Sequence, residues 1–148
     1  MVGDVVRKPS AQPTILIVED ELDLLEALRI KMSREGYQAL AVPDGPQALA
    51  ALASEEVDLI ILDAIIPPPD GYKICQILKA DHRYRHIPIV MLSARGMDSD
   101  VAKGYAAGAD YYIIKPIKPA ALVRKVRDIL GERGAFNSNR RPLPESGR

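Results

Sequence analysis

The chain of 148 residues has one cysteine, Cys75, no tryptophan and one phenylalanine. A single thiol forms no internal disulfide and offers no cysteine-based metal site. The expectation is a reducing, cytoplasmic setting. Charge of one sign is not in excess, since 20 Lys and Arg oppose 20 Asp and Glu. That balance lacks the basic field of a nucleic-acid or anionic-membrane binder, so neither partner is expected of this region. No aliphatic run comes near the roughly 18 residues of a membrane span. The opening MVGDVVRKPSAQP lacks the apolar stretch of a secretion signal. No Walker loop, HExxH motif or Ser-His-Asp motif is legible. What is present is a hydrophobic content of 47%, enough for a sizeable core, in a length that suits one domain.

Two flanks differ from the middle. Residues 1–13 and 132–148 carry turn and breaker residues without an apolar period. They read as a disordered N-terminal tail and a disordered tail or truncated linker. The segment between them, 14–131, alternates. Short aliphatic runs stand at TILIV (14–18), YQALAV (37–42), VDLIIL (57–62), IPIVML (87–92) and DYYII (110–114). Helical patterns separate them at 21–36, 45–55, 71–81 and 98–108, and a fifth follows at 118–131. Leu25, Leu28 and Met32 share one face of the first helix, and Ile74, Ile77 and Leu78 one face of the third. Gly36, Gly108 and Gly131 stand where helices should stop, and an Asp or Ser should cap the fourth helix. Five strands and five helices in strict alternation predict an α/β fold, a doubly wound parallel sheet with helices on both faces.

Ligands of such sheets bind beyond the carboxyl ends of the strands. The first run is followed by Glu19 and Asp20, the third by Asp63, the fourth by Ser93 and the fifth by Lys115. Grouped carboxylates repel one another unless a hard cation joins them, and Mg²⁺ takes oxygen ligands. A carboxylate can also attack phosphorus to form an aspartyl phosphate. The transferring group then needs a metal, a lysine and a hydroxyl donor nearby. Glu19, Asp20, Asp63, Ser93 and Lys115 supply each part.

The stretches ILIVEDE (15–21), LDAIIPPPDGY (62–72), VMLSA (90–94) and GADYYIIKPI (108–117) resemble the receiver domains of two-component response regulators, the CheY-like family. The resemblance covers about residues 14–130. It implies a flavodoxin-like (βα)5 fold with strand order 2-1-3-4-5. It makes Asp63 the phosphoacceptor, fed by a histidine kinase or a histidine phosphotransfer protein. Glu19, Asp20, Asp63 and the backbone carbonyl of Ile65 are the implied ligands of Mg²⁺, for which Mn²⁺ can substitute. Lys115 would pair with the phosphoryl group, Ser93 would bind one of its oxygens, and small Ala94 would leave the site open. Tyr112 is the implied switch aromatic, and the Lys115-Pro116 peptide is expected to be cis. Ile65 and Arg95 flank the path of the hydrolytic water and are expected to tune dephosphorylation. The implied output surface is formed by the fourth helix, fifth strand and fifth helix. It carries Lys103, Tyr105, Asp110, Lys118, Arg124 and Arg127, and it could face a downstream protein, an effector domain or a second copy in a homodimer.

Competing readings meet specific obstacles. A flavodoxin-like nucleotide binder needs a phosphate-friendly loop after its first strand, and EDELD would repel phosphate. A haloacid-dehalogenase-type phosphatase needs a second acid two positions after its nucleophile, where this chain has Ile65. The remaining alternative is a phosphorylation-independent pseudo-receiver that acts as a docking module. Ser93 stands where threonine is commoner, Ile117 where phenylalanine is frequent, and the three prolines 67–69 exceed the usual one. His82 and His86 fall in a polar loop without metal-ligand spacing, and Cys75 sits at a packing position. A regular fifth strand would send Tyr111 and Tyr112 to opposite faces.

Overall fold

The computed structural model describes residues 12–136. Ten elements alternate along the chain: β1 (Thr14–Val18), α1 (Leu22–Arg34), β2 (Gln38–Val42), α2 (Gly45–Ser54), β3 (Leu59–Asp63), α3 (Gly71–Ala80), β4 (Ile89–Ser93), α4 (Asp98–Ala106), β5 (Tyr111–Ile114) and α5 (Pro119–Phe136). The strands form one parallel sheet in the order β2-β1-β3-β4-β5. No helix among the described residues is long and apolar enough to cross a membrane.

The three central strands are buried along their whole length. Successive side chains of a strand point to opposite faces, so one aliphatic run feeds two cores. Leu16, Ile60, Leu62 and Met91 join Ala48, Leu52, Ile74 and Leu78 on one face. Ile15, Ile17, Ile61 and Leu92 join Leu25, Leu28, Met32, Leu122 and Val126 on the other. Tyr111 goes to the second cluster, whereas Tyr112 packs against the first. Cys75 is buried in the first, and burial pushes its thiol up to about 12.

Local chemistry sets the helix starts. Asp44 and Asp70 accept the N–H of Gln47 and Lys73, each at 2.9 Å. At α4 the structure departs from the expected Asp or Ser cap. Met97 is the N-cap, and Asp100 reaches back to accept the Met97 N–H at 3.2 Å. On α3 the buried stripe runs through Gly71, Ile74, Cys75 and Leu78, which leaves Ile77 at its edge and 38% exposed. The glycines at the ends of α1 and α4 take positive φ, 98° at Gly36 and 108° at Gly108.

Gly131 does not end α5. It is absent from the positive-φ glycines, and the helix passes through it to Phe136. The helix stop expected at Gly131 is therefore wrong, because glycine weakens a helix interior without forbidding it. The rest of the expected tails, residues 1–11 and 137–148, lies outside the described residues.

A polar staple joins the amino ends of the last two strands. The Asp110 carboxylate accepts the Ile89 N–H and the Lys79 ammonium, each at 2.8 Å. Lys79 also donates to the carbonyls of Arg85 and Ile87.

Gly71 holds α3 against the end of β3. A Cβ there would stand 2.6 Å from Ala64 Cα and closer still to the Asp63 carbonyl oxygen. At Gly131 a Cβ would meet nothing within 4 Å. Gly71→Ala should therefore cost about 1–3 kcal/mol by overpacking. Gly131→Ala should stabilise by up to about 1 kcal/mol. Urea unfolding midpoints of the two variants are expected to move in opposite directions.

Candidate functional site

The switch point of the strand order lies between β1 and β3, where the chain first builds to one side and then to the other. Glu19 and Asp20 leave β1 there, and Asp63 ends β3. Oxygens of these three carboxylates lie within 4.8 Å of one another. Glu19 and Asp63 are buried, at 1% and 4% exposure, while Asp20 is open to solvent.

Lys115 enters from the end of β5. Its Nζ donates to Asp63 Oδ2 at 2.9 Å and lies 2.9 Å from Glu19 Oε1. The other oxygens are held by backbone: Asp63 Oδ1 accepts the Ile65 N–H at 2.9 Å, and Glu19 Oε2 accepts the Glu21 N–H at 3.1 Å. Glu19 Oε1 has the ammonium for an ion-pair neighbour but no partner in hydrogen-bonding geometry.

The electrostatics are those of a negative site short of cations. Burial, reinforced by the Asp63 carboxylate and opposed by Lys115, pushes the Glu19 carboxyl up to about 7. Burial would lower Lys115, but its hydrogen bond to Asp63 and the charges of Asp63 and Glu19 outweigh that and raise it. A hard divalent cation fits this donor set. The ligands are all oxygen, one buried carboxylate oxygen lacks a hydrogen bond, and one ammonium faces two buried carboxylates.

The remaining sequence-derived residues divide into two groups. Ser93 is fully buried at the end of β4, where Leu92 pairs with Asp63 across the sheet. Its Oγ accepts the Arg95 N–H at 3.0 Å. Ala94 is exposed and lines a cleft of about 390 Å³ with Leu24, Leu28, Leu92 and Ile117. The Lys115-Pro116 peptide is cis, as expected, and so is Pro68-Pro69, which sequence reasoning did not foresee. Ile65 is 41% exposed beside the acid cluster.

Tyr112 and Arg95 belong to a second group. The half-buried Tyr112 donates its hydroxyl proton to the Arg95 carbonyl at 2.7 Å. Tyr72 joins them from α3 with its hydroxyl 3.4 Å from that of Tyr112. Burial raises the Tyr72 hydroxyl pKa, and the nearby Arg95 charge opposes the rise. Sequence reasoning missed Tyr72 because DGY reads locally as a helix start. Two residues assigned to the output surface are engaged elsewhere: Arg127 pairs at 3.0 Å with Glu35, which caps the end of α1, and Asp110 pairs with Lys79.

Comparison with known proteins agrees with this geometry. A family model described as the response regulator receiver domain matches residues 15–127. The chain is 42% identical over 113 residues to the DNA-binding response regulator MtrA of Mycolicibacterium paratuberculosis, covering 76% of this chain and 49% of that protein. It is 36% identical over 136 residues to the transcriptional regulatory protein CseB of Streptomyces avermitilis, covering 91% and 57%. The chain thus spans about half the length of the curated relatives it matches. The signal receiver domain of a signal transduction histidine kinase from Syntrophus aciditrophicus superposes with a TM-score of 0.77 at 34% identity, over 90% of this chain and 99% of that one. The chemotaxis response regulator CheY4 of Vibrio cholerae shares the fold at 24% identity and a TM-score of 0.76, over 80% and 99%. Matched over most of its length, the chain belongs to the response regulator receiver domain family.

Proposed function

We propose that this chain is a phosphorylation-driven signalling switch with Asp63 as its phosphoacceptor. The single observation that carries the reading is the Lys115 ammonium shared by Asp63 and Glu19 beside Asp20, at the carboxyl edge of the sheet. A carboxylate oxygen of Asp63 attacks the phosphorus of a phosphohistidine on a kinase or phosphotransfer partner. The N–P bond breaks, its electron pair stays on the imidazole nitrogen, and that nitrogen takes up a proton. The product is an acyl phosphate on Asp63 and a free histidine. The setting is the cytoplasm.

Each neighbouring group has a task in this transfer. Backbone and lysine contacts fix both Asp63 oxygens, so the nucleophile is oriented before the donor arrives. Lys115 pairs with a phosphoryl oxygen as the charge develops. Glu19 and Asp20, with Asp63 and the Ile65 carbonyl, would hold Mg²⁺ or Mn²⁺, which when bound neutralises phosphoryl charge. Ser93 gives up the Arg95 N–H and turns its hydroxyl to a phosphoryl oxygen. Tyr112 then follows the β4–α4 loop, and the face made of α4, β5 and α5 changes for an output protein, an attached effector or a second copy. The relatives named DNA-binding response regulators extend well beyond the matched segment, which suits a receiver that passes its state to another region.

Three outcomes are expected. Incubation with acetyl phosphate and Mg²⁺ should add one hydroxylamine-labile phosphoryl group, seen as a mass increase, and Asp63→Asn should abolish it. Unchanged labelling in that variant refutes the assignment, and an unlabelled parent chain leaves the docking-module reading.

Titration with Mg²⁺ followed by NMR should shift the amides of residues 19–21 and 63–66 with weak affinity, because water completes most of the shell. Shifts confined to the 81–86 loop would count against the site.

The third outcome concerns lifetime. Ile65 offers nothing polar to orient a water, and Arg95 can lie across the phosphoryl oxygens. Replacing Ile65 by Asn together with Arg95 by Glu should speed loss of the phosphoryl group severalfold. An equal or slower rate would show that these side chains do not shield it.

A further inference from the structure

Tyr112 sits where it does because α4 leaves it room. Its ring lies against Gly104, in the interior of α4. A Cβ built at Gly104 would stand 2.5 Å from Cδ2 and 2.7 Å from Cε2 of that ring, and 3.3 Å from Met91 Sδ. Side-chain carbons do not approach so closely, so any other residue at 104 displaces the ring or the helix. Glycine is also the poorest helix former after proline. A residue that weakens the helix stands at the one turn where the ring needs a vacancy.

Polar contacts complete the seat. The Tyr112 N–H donates to the Tyr105 hydroxyl at 3.2 Å, and the two rings lie 6.5 Å apart. The Tyr112 hydroxyl proton goes to the Arg95 carbonyl. A hydroxyl has one proton, so in the longer contact Tyr72 is the donor and Tyr112 the acceptor. The Lys103 ammonium lies 4.5 Å from the centroid of the Tyr72 ring and ties that wall of the seat to α4. Arg95 bonds in two directions, with its N–H to Ser93 Oγ and its carbonyl to Tyr112. A shift of the Ser93 hydroxyl therefore reaches Tyr112 through one residue.

We propose that Gly104 is the positioning residue of this switch. Its missing side chain makes the inward seat of Tyr112, and the Tyr72 hydroxyl closes that seat from α3. The identity of residue 104 sets how readily Tyr112 lies inward, and so sets the bias of the α4-β5-α5 face. The seat stands on geometry alone, while its signalling meaning rests on the phosphoacceptor reading above.

The test uses the full chain labelled with 3-fluorotyrosine. The Tyr112 resonance is identified by its loss in Tyr112→Phe, and a soluble gadolinium chelate broadens exposed rings. Gly104→Ala favours the helix, so its far-UV circular dichroism should match the parent. Its Tyr112 resonance should shift and broaden at least twofold more with the chelate. Tyr72→Phe keeps the ring and its contact with Lys103, and should move the resonance the same way by a smaller amount. An unshifted, equally protected Tyr112 in Gly104→Ala overturns the proposal. If that variant does not fold, an unchanged Tyr112 in Tyr72→Phe overturns it instead. Acetyl phosphate labelling of the parent chain is scored separately: its failure removes the phosphoacceptor reading and leaves the fluorine result to judge the seat.

Discussion

The carboxyl edge of this sheet depends on one ammonium group. Lys115 leaves β5 and reaches past the end of β4 to carboxylates on β3 and β1. The span from β5 to β3 is two strand spacings, roughly 10 Å. Only a long unbranched side chain crosses it, and it must pass the end of a strand that finishes in small Ser93 and is followed by small Ala94. Buried carboxylates are costly unless paired. Here two of them share one cation, and Asp20 adds a third negative group at the rim. The arrangement ties three strand ends together and still leaves negative charge uncompensated. That residual charge suits a hard divalent cation.

Much of this was legible in the sequence because each buried strand announces its own end. Aliphatic runs stop where chemistry starts, at Glu19, Asp63, Ser93 and Lys115, and the fold needs only to align those ends. Caps were legible where the residue type is specific, as at Asp44 and Asp70. Legibility failed where a residue's meaning comes from another element. Gly131 reads locally as a helix stop, yet nothing presses on the backbone there and α5 continues. Ile77 fits a helical face but misses the stripe that the sheet covers. Gly104 reads as a weakness in α4, and only the ring of Tyr112 gives it a purpose. Arg127 and Asp110 look like free surface charges until α1 and α3 claim them.

The protein therefore separates two kinds of precision. The acid cluster is held by backbone donors and one lysine, and its parts come from strand ends that the sheet register fixes. The tyrosine group is held by helix surfaces, hydroxyls and a carbonyl on the β4–α4 loop. In the switch proposed above, rigid backbone would serve the bond-making step and softer side-chain contacts the readout. Ser93 and Arg95 stand between the two, sharing one hydrogen bond.

The staple beneath the sheet gives this separation a mechanical form. Lys79 and Asp110 clasp the amino ends of β4 and β5, opposite the edge that carries Ser93 and Lys115. The ladder continues to their carboxyl ends, where the Lys115 N–H donates to the Ser93 carbonyl at 2.8 Å and the Ala64 N–H to the Leu92 carbonyl at 3.1 Å. From Ile89 to Ser93 the arm is roughly 13 Å at about 3.3 Å per residue. A twist of a few degrees between the two ends of that arm moves the rim by less than an ångström. That is the scale on which one hydrogen bond is exchanged for another, so the sheet need not break its ladder for its upper rim to change partners.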